Sequence, residues 1–128
     1  MIDLENEIFN NVAVALRSAY QGISIYGEYV ESPSSFPSVS LVEDDNSEIV
    51  SNTTLYRNPE TASNLMYTAN VYSNLKTGKK AQAKAIMDVV DAQMRSMGFS
   101  RTMRSQLPNV DRTIYRVTAR YTRTIQTF

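Results

Sequence analysis

Residues 64–99 read NLMYTANVYSNLKTGKKAQAKAIMDVVDAQMRSMGF, and the hydrophobic period changes partway along the run. From 64 to 75 the period is two. Leu65, Tyr67, Ala69, Val71 and Leu75 fall on one face, with Asn64, Thr68, Asn70 and Asn74 on the other, which predicts a half-buried strand. From 79 to 97 the period is helical, with Ala83, Ile86, Met87, Val90, Met94 and Met97 on one stripe. Thr77-Gly78 makes the turn between the two. Gly98 stands where a helix C′ glycine belongs, with Phe99 as the apolar contact behind it.

Working outward, residues 3–20 predict an opening helix, since Leu4, Ile8, Val12, Ala15, Leu16 and Ala19 recur at helical spacing. Asp3 is its candidate N-cap, Glu5 and Glu7 lie in the first turn and Arg17 in the last, the order that the helix dipole favours. Ile23 to Val30 are β-formers, and Val39, Leu41 and Glu43 alternate beyond Ser32-Pro33-Ser34-Ser35-Phe36-Pro37. Residues 23–43 therefore predict a hairpin with a long loop. The segment of about 43–63 holds an acidic run, Ile49-Val50, Leu55-Tyr56 and Asn58-Pro59, and reads as a long loop or extended arm.

Downstream, Phe99, Arg101, Met103 and Leu107 alternate against Ser100, Thr102, Arg104 and Gln106. Pro108-Asn109-Val110-Asp111 turns the chain into a last strand from 113 to 127. There Tyr115, Val117, Ala119, Tyr121 and Ile125 face one way, Arg116, Thr118, Arg120, Thr122 and Thr124 the other, and Arg123 takes the apolar side. The expected fold is α+β: one domain over 1–128, a largely antiparallel sheet of four to five strands, and two helices packed on one face.

At 128 residues the chain has the length of one domain, with no histidine and no cysteine. Disulfides, thiolate nucleophiles, Cys-based zinc sites, the usual general base and the commonest transition-metal ligand are all ruled out by composition. The opening residues are acidic, unlike a secretory leader, and no run of about eighteen apolar residues predicts a membrane span. The expectation is a non-enzymatic protein without cofactor or metal, kept in a reducing cytosol.

Formal charge is zero overall but segregated. Residues 1–75 hold ten acids against Arg17 and Arg57, a net of −8, and residues 76–128 hold eleven bases against Asp88, Asp91 and Asp111, a net of +8. Such asymmetry is a statement about partners, not about fold. Lys76-Thr77-Gly78-Lys79-Lys80 joins a strand to a helix but lacks the spacing of a phosphate-binding loop. Glu43-Asp44-Asp45-Asn46-Ser47-Glu48 offers oxygens but not the alternation of a calcium loop. Asp88 and Asp91 read as helix-surface residues, with no nucleophile–base pair beside them.

The six arginines Arg101, Arg104, Arg112, Arg116, Arg120 and Arg123 admit three readings. Arg116 and Arg120 could contact phosphates, though no stacking aromatics are interleaved on their face. Alternating Arg and Thr could be a solvated strand face. Or the arginines could fork onto carboxylates of another copy. The third is preferred, because the first half of the same chain supplies matching charge. The expected interface comprises Glu43, Asp44, Asp45, Glu48, Arg101, Arg104, Arg116, Arg120 and Arg123, in a head-to-tail contact that makes a ring if it closes.

The layout of the whole chain resembles the tail terminator (tail-completion, neck) proteins of long-tailed, lambda-type siphophages. The resemblance runs from the acidic opening helix MIDLENEIFNNVAVALRSAY through the Pro-containing ESPSSFPSVSLVEDD and the strand NLMYTANVYSN. It continues into TGKKAQAKAIMDVVDAQMRSMGF and ends with DRTIYRVTARYTRTI. It implies a structural virion subunit, assembled in the host cytoplasm, that forms a hexameric ring on the tail tube. Such a ring stops tube polymerisation, meets the head connector or head-closure protein, and passes DNA through its lumen only as cargo. The family has no catalytic residues to carry over. The long 43–63 segment departs from the family's simplest pattern. The alternatives are a small nucleic-acid-binding module using the basic C-terminal strand face, or another neck or tail subunit such as head closure or tail tube.

Overall fold

Ile8, Val12 and Leu16 recur at helical spacing and form the buried stripe of α1 (Glu5–Ala19) in the computed structural model, which describes residues 3–30, 33, 35–48, 62–107 and 113–126. Asp3 is not the N-cap; Leu4 is, and the Asp3 carboxylate instead accepts the Glu5 N–H at 3.2 Å. The second helix, α2 (Lys79–Ser96), buries Ala83, Ile86, Met87, Val90 and Met94, the stripe read from the sequence. It ends in a Schellman motif: Phe99 N–H donates to Met94 O and Gly98 N–H to Arg95 O, both at 3.0 Å, with Gly98 at φ +88°.

Five strands complete the chain: β1 (Ser24–Tyr26), β2 (Ser38–Glu48), β3 (Ala62–Ser73), β4 (Ser100–Leu107) and β5 (Tyr115–Gln126). They lie in the order β1-β2-β3-β5-β4, antiparallel except for β1 on β2. The fold is α+β, as expected. Val39, Leu41, Leu65, Tyr67, Ala69, Val71, Val117, Ala119 and Tyr121 share one face and one buried cluster with both helices. Tyr67 and Phe99 meet edge to face, 5.5 Å between centroids. None of the helices among the described residues is long and apolar enough to cross a membrane.

Four expectations are corrected. Residues 23–43 are not a hairpin: β1 runs parallel to β2, Ser24 beside Ser38 and Tyr26 beside Ser40. The connection crosses the sheet face opposite the helices, where Ser40 Oγ donates to Glu28 O (2.9 Å) and Tyr72 Oη to Val30 O (3.0 Å). That second face is therefore partly covered, and Ser40, Asn70, Tyr72 and Thr118 are buried on it. Alternation specifies a strand and its faces but not its direction against a neighbour, so the sequence could not exclude this arrangement.

The acidic run is not loop: residues 43–48 are the second half of β2 and residues 62–63 the start of β3, with Glu48 beside Ser63. Of the expected arm, 49–61 lies outside the described residues, as do the turn at 108–111 and Arg112. Leu75 is not on the core face. The strand stops at Ser73, whose hydroxyl bonds Gln82 Oε1 of α2 at 2.5 Å, and Leu75 is left 43% exposed. Finally, a β-bulge between Arg101 and Met103 breaks the alternation of β4. Arg101 stands beside Tyr121 and Arg104 beside Ala119, so both arginines share the helix side, contrary to strict alternation.

Candidate interaction surfaces

The bulge in β4 has a chemical result. Asp88 and Asp91 lie one turn apart on α2, and both arginines reach them. Arg104 Nη1 donates to Asp88 Oδ1 at 2.7 Å, and Arg101 Nη1 to Asp91 Oδ1 at 3.0 Å. Asp91 also receives Arg95 Nε at 2.8 Å and the hydroxyl of fully buried Tyr121 at 3.0 Å. Burial pushes the Asp91 carboxyl up, but the bonds from Arg95 and Tyr121 and the nearby Arg101 charge outweigh it and hold the group below the usual carboxylate range. Burial, and then the Asp91 charge, push the Tyr121 phenol well above its ordinary value. Two acids read from the sequence as helix-surface residues are thus the partners of two arginines expected to reach another copy.

On the second face, Arg116 is held on three sides. Its guanidinium lies 5.9 Å from the Tyr29 ring centroid and 5.7 Å from that of Tyr72, and its Nε donates to Asn70 Oδ1 at 3.0 Å. Thr118 Oγ1 donates to the same Asn70 oxygen at 2.6 Å. This corrects the expectation that no aromatic shares the face of Arg116: Tyr72 comes from β3 and Tyr29 from the crossing connection, and neither was legible from β5 alone. Arg120 is exposed on that face and has no ion pair among the described residues. Arg123 lies on the helix side, against the end of α2, where a Cβ on Gly98 would come within 3.2 Å of its Nε.

The acidic side is a strand edge. β1 pairs with β2 only as far as Ser40, so among the described residues nothing pairs with the outer edge of 41–48. Glu43, Asp44, Asp45 and Glu48 lie along it, with a bulge between Glu43 and Asp45. Charge and a bulge are the devices that keep an edge from pairing with its like. Asp44 accepts from Thr68 Oγ1, and Asp45 from Ser47 Oγ at 2.5 Å. Glu43 accepts the Tyr67 hydroxyl at 3.2 Å and, with Asp3, Glu5 and Asn46, lines a shallow hollow. Burial and the neighbouring Glu5 carboxyl raise Glu43, while burial and Glu43 raise the Tyr67 phenol far above its usual value. No group of three or more acidic side chains among the described residues is arranged to hold a metal ion.

The expected interface residues are therefore divided, not gathered. Glu43, Asp44, Asp45 and Glu48 form the β2 edge beside the start of α1; Arg101 and Arg104 pair with their own helix; Arg116 and Arg120 lie on the second face; and Arg123 stands apart at the end of α2. Lys76 and Lys80, which read from the sequence as part of a plain turn, and Lys84 of α2 are, like Arg120, exposed and make no ion pair among the described residues. They lie past the end of β3, whereas the acidic edge runs beside its beginning. No family model and no curated protein matches the sequence.

Proposed function

We propose that the chain is a non-enzymatic structural subunit of the tail-terminator kind. In this reading it forms a ring that caps the tail tube of a long-tailed phage, halts tube polymerisation and meets the head connector, with DNA passing through the lumen. The observation that carries the reading is the spatial separation of charge on one small domain: an acidic sheet edge beside the start of β3 and, beyond its end, Lys76, Lys80 and Lys84, exposed and without an ion pair among the described residues. A surface of each sign on one subunit suits a head-to-tail contact that uses both once per copy. The resemblance of the chain's layout to that family supplies the rest. The test is the mass of the purified protein at rising salt, with electron microscopy for six-fold rings. Rings that loosen with salt are expected; a monomer at high concentration and low salt, with or without tail tubes, refutes the reading. Head-closure and tube subunits share this logic, and addition of the protein to growing tubes separates them, since only a terminator stops growth.

A second reading, a small nucleic-acid-binding module, is favoured by the Tyr29–Arg116–Tyr72 stack with Arg120 on the same face. Tyr29 is exposed and Arg116 half-buried there, and an aromatic ring beside a guanidinium suits a single strand. Filter binding to random single strands and duplexes distinguishes the two: tight retention with a steep salt slope supports the second reading.

A further inference from the structure

We infer that the turn carrying Leu75 and Lys76 of one copy docks into the hollow beside the outer edge of β2 in the next copy. The hollow measures about 490 Å³, with Phe9, Ile25, Leu41 and Tyr67 on its walls and Glu5 and Glu28 among its lining. It opens where β1 ends after Tyr26 and, among the described residues, leaves the rest of the outer edge of β2 without a neighbour. Its chemistry is apolar with an acidic margin, continuous with Glu43 through Glu5.

The turn has the complementary character. Leu75 is one of only three large apolar residues exposed among those described, and it projects because β3 is tied off at Ser73 by the bond to Gln82. Lys76 follows it directly, and Lys80 and Lys84 stand on the first turns of α2. Gly78, at φ +85° with open space around its α-carbon, turns the chain into the helix. An exposed apolar side chain on a lysine-bearing turn thus matches an apolar hollow with Glu5 and Glu28 in its lining. A single copy cannot satisfy both. At ~3.3 Å per residue, roughly 20 Å of β3 separates Ser73 from Tyr67 in the hollow, and the chain turns away into α2 after Ser73. The contact is therefore heterologous, an apolar projection of one subunit in a pocket elsewhere on the next, and it closes into rings or runs on as fibres.

The inference rests on the self-assembling reading above and places its basic side on the lysine turn, not on the arginines of β4 and β5 expected from the sequence. Sedimentation velocity tests it on the full chain and on three variants: Leu75→Asp, Lys76→Glu with Lys80→Glu, and Glu5→Lys with Glu28→Lys. Circular dichroism melts check that each is folded. Each variant alone is expected to weaken self-association at least tenfold. An equimolar mixture of the two charge-reversed variants is expected to recover it, because each then offers the sign that the other lacks. If the unaltered chain assembles and Leu75→Asp assembles equally well, or the mixture associates no better than its components, this docking is wrong while the ring reading stands. An unaltered chain that is monomeric throughout overturns both.

Discussion

Replacing Asp91 by alanine removes the acceptor that three donors share, and the structure sets the size of the loss. The Tyr121 hydroxyl is fully buried and bonded to Asp91 Oδ1, so it is left unsatisfied, a cost of about 1–3 kcal/mol. Arg101 and Arg95 are partly exposed and return to water, so their two ion pairs contribute no more than about 1 kcal/mol each. Alanine regains roughly 0.5 kcal/mol of helix propensity. The net loss is about 1–4 kcal/mol, a large share of the roughly 5–15 kcal/mol that holds a domain of this size, or about 4–15 °C in Tm. Asp88→Ala is the internal control. It has the same chemistry and the same helix, but its carboxylate side chain is 68% exposed against 15% for Asp91, and it holds Arg104 alone. Its cost is no more than about 1 kcal/mol. Urea unfolding followed by circular dichroism reads both. The double variant Asp91→Ala/Tyr121→Phe is expected to cost at least about 1 kcal/mol less than the sum of its single changes, since removing the hydroxyl removes the orphaned donor. Equal losses for Asp88→Ala and Asp91→Ala, or strict additivity in the double variant, would refute the account of β4 held to α2 through a buried tyrosine.

Three further expectations concern ionisation and the two ends of α2. Asp91 titrates below its unfolded value near 3.9, so its contribution is present above about pH 4 and is lost as pH falls through the folded value. Glu43 is raised, so the opposite sign applies: its ionisation removes stability as pH rises from about 4.3 through the folded value. Glu43→Gln keeps an acceptor for Tyr67 and is expected to raise stability at pH 7 by up to about 1 kcal/mol, with no gain at pH 4, as urea midpoints at the two pH values will show. Gly78 and Gly98 both have φ near +85°, but a Cβ meets nothing at 78 and Arg123 Nε at 98. Gly78→Ala is expected to cost about 1–2 kcal/mol from the left-handed backbone alone. Gly98→Ala should cost up to about 1 kcal/mol more, and thermal melts should show that excess vanish in an Arg123→Ala background.

Whatever depends on near neighbours along the chain is legible in the residues alone. The helical stripes of α1 and α2, the alternation of β3 and β5, and the Gly98 terminus each follow from the spacing of apolar side chains or the φ of one residue, and each stands where the sequence places it except at Ala19 of α1, which is exposed, and Leu75, which lies past the end of β3. The exclusion of histidine and cysteine chemistry is likewise a matter of composition. Which groups remain available depends instead on contacts made across the fold. The direction of β1, the bulge that turns Arg101 and Arg104 toward Asp91 and Asp88, and the crossing segment that lays Tyr29 on Arg116 all depend on pairings between residues distant in sequence. Charge is a property of a residue, but whether that charge is satisfied depends on distance and burial. The arginines most conspicuous in the sequence are for that reason largely engaged within the fold, whereas Lys76, Lys80 and Lys84 face solvent with no ion pair among the described residues.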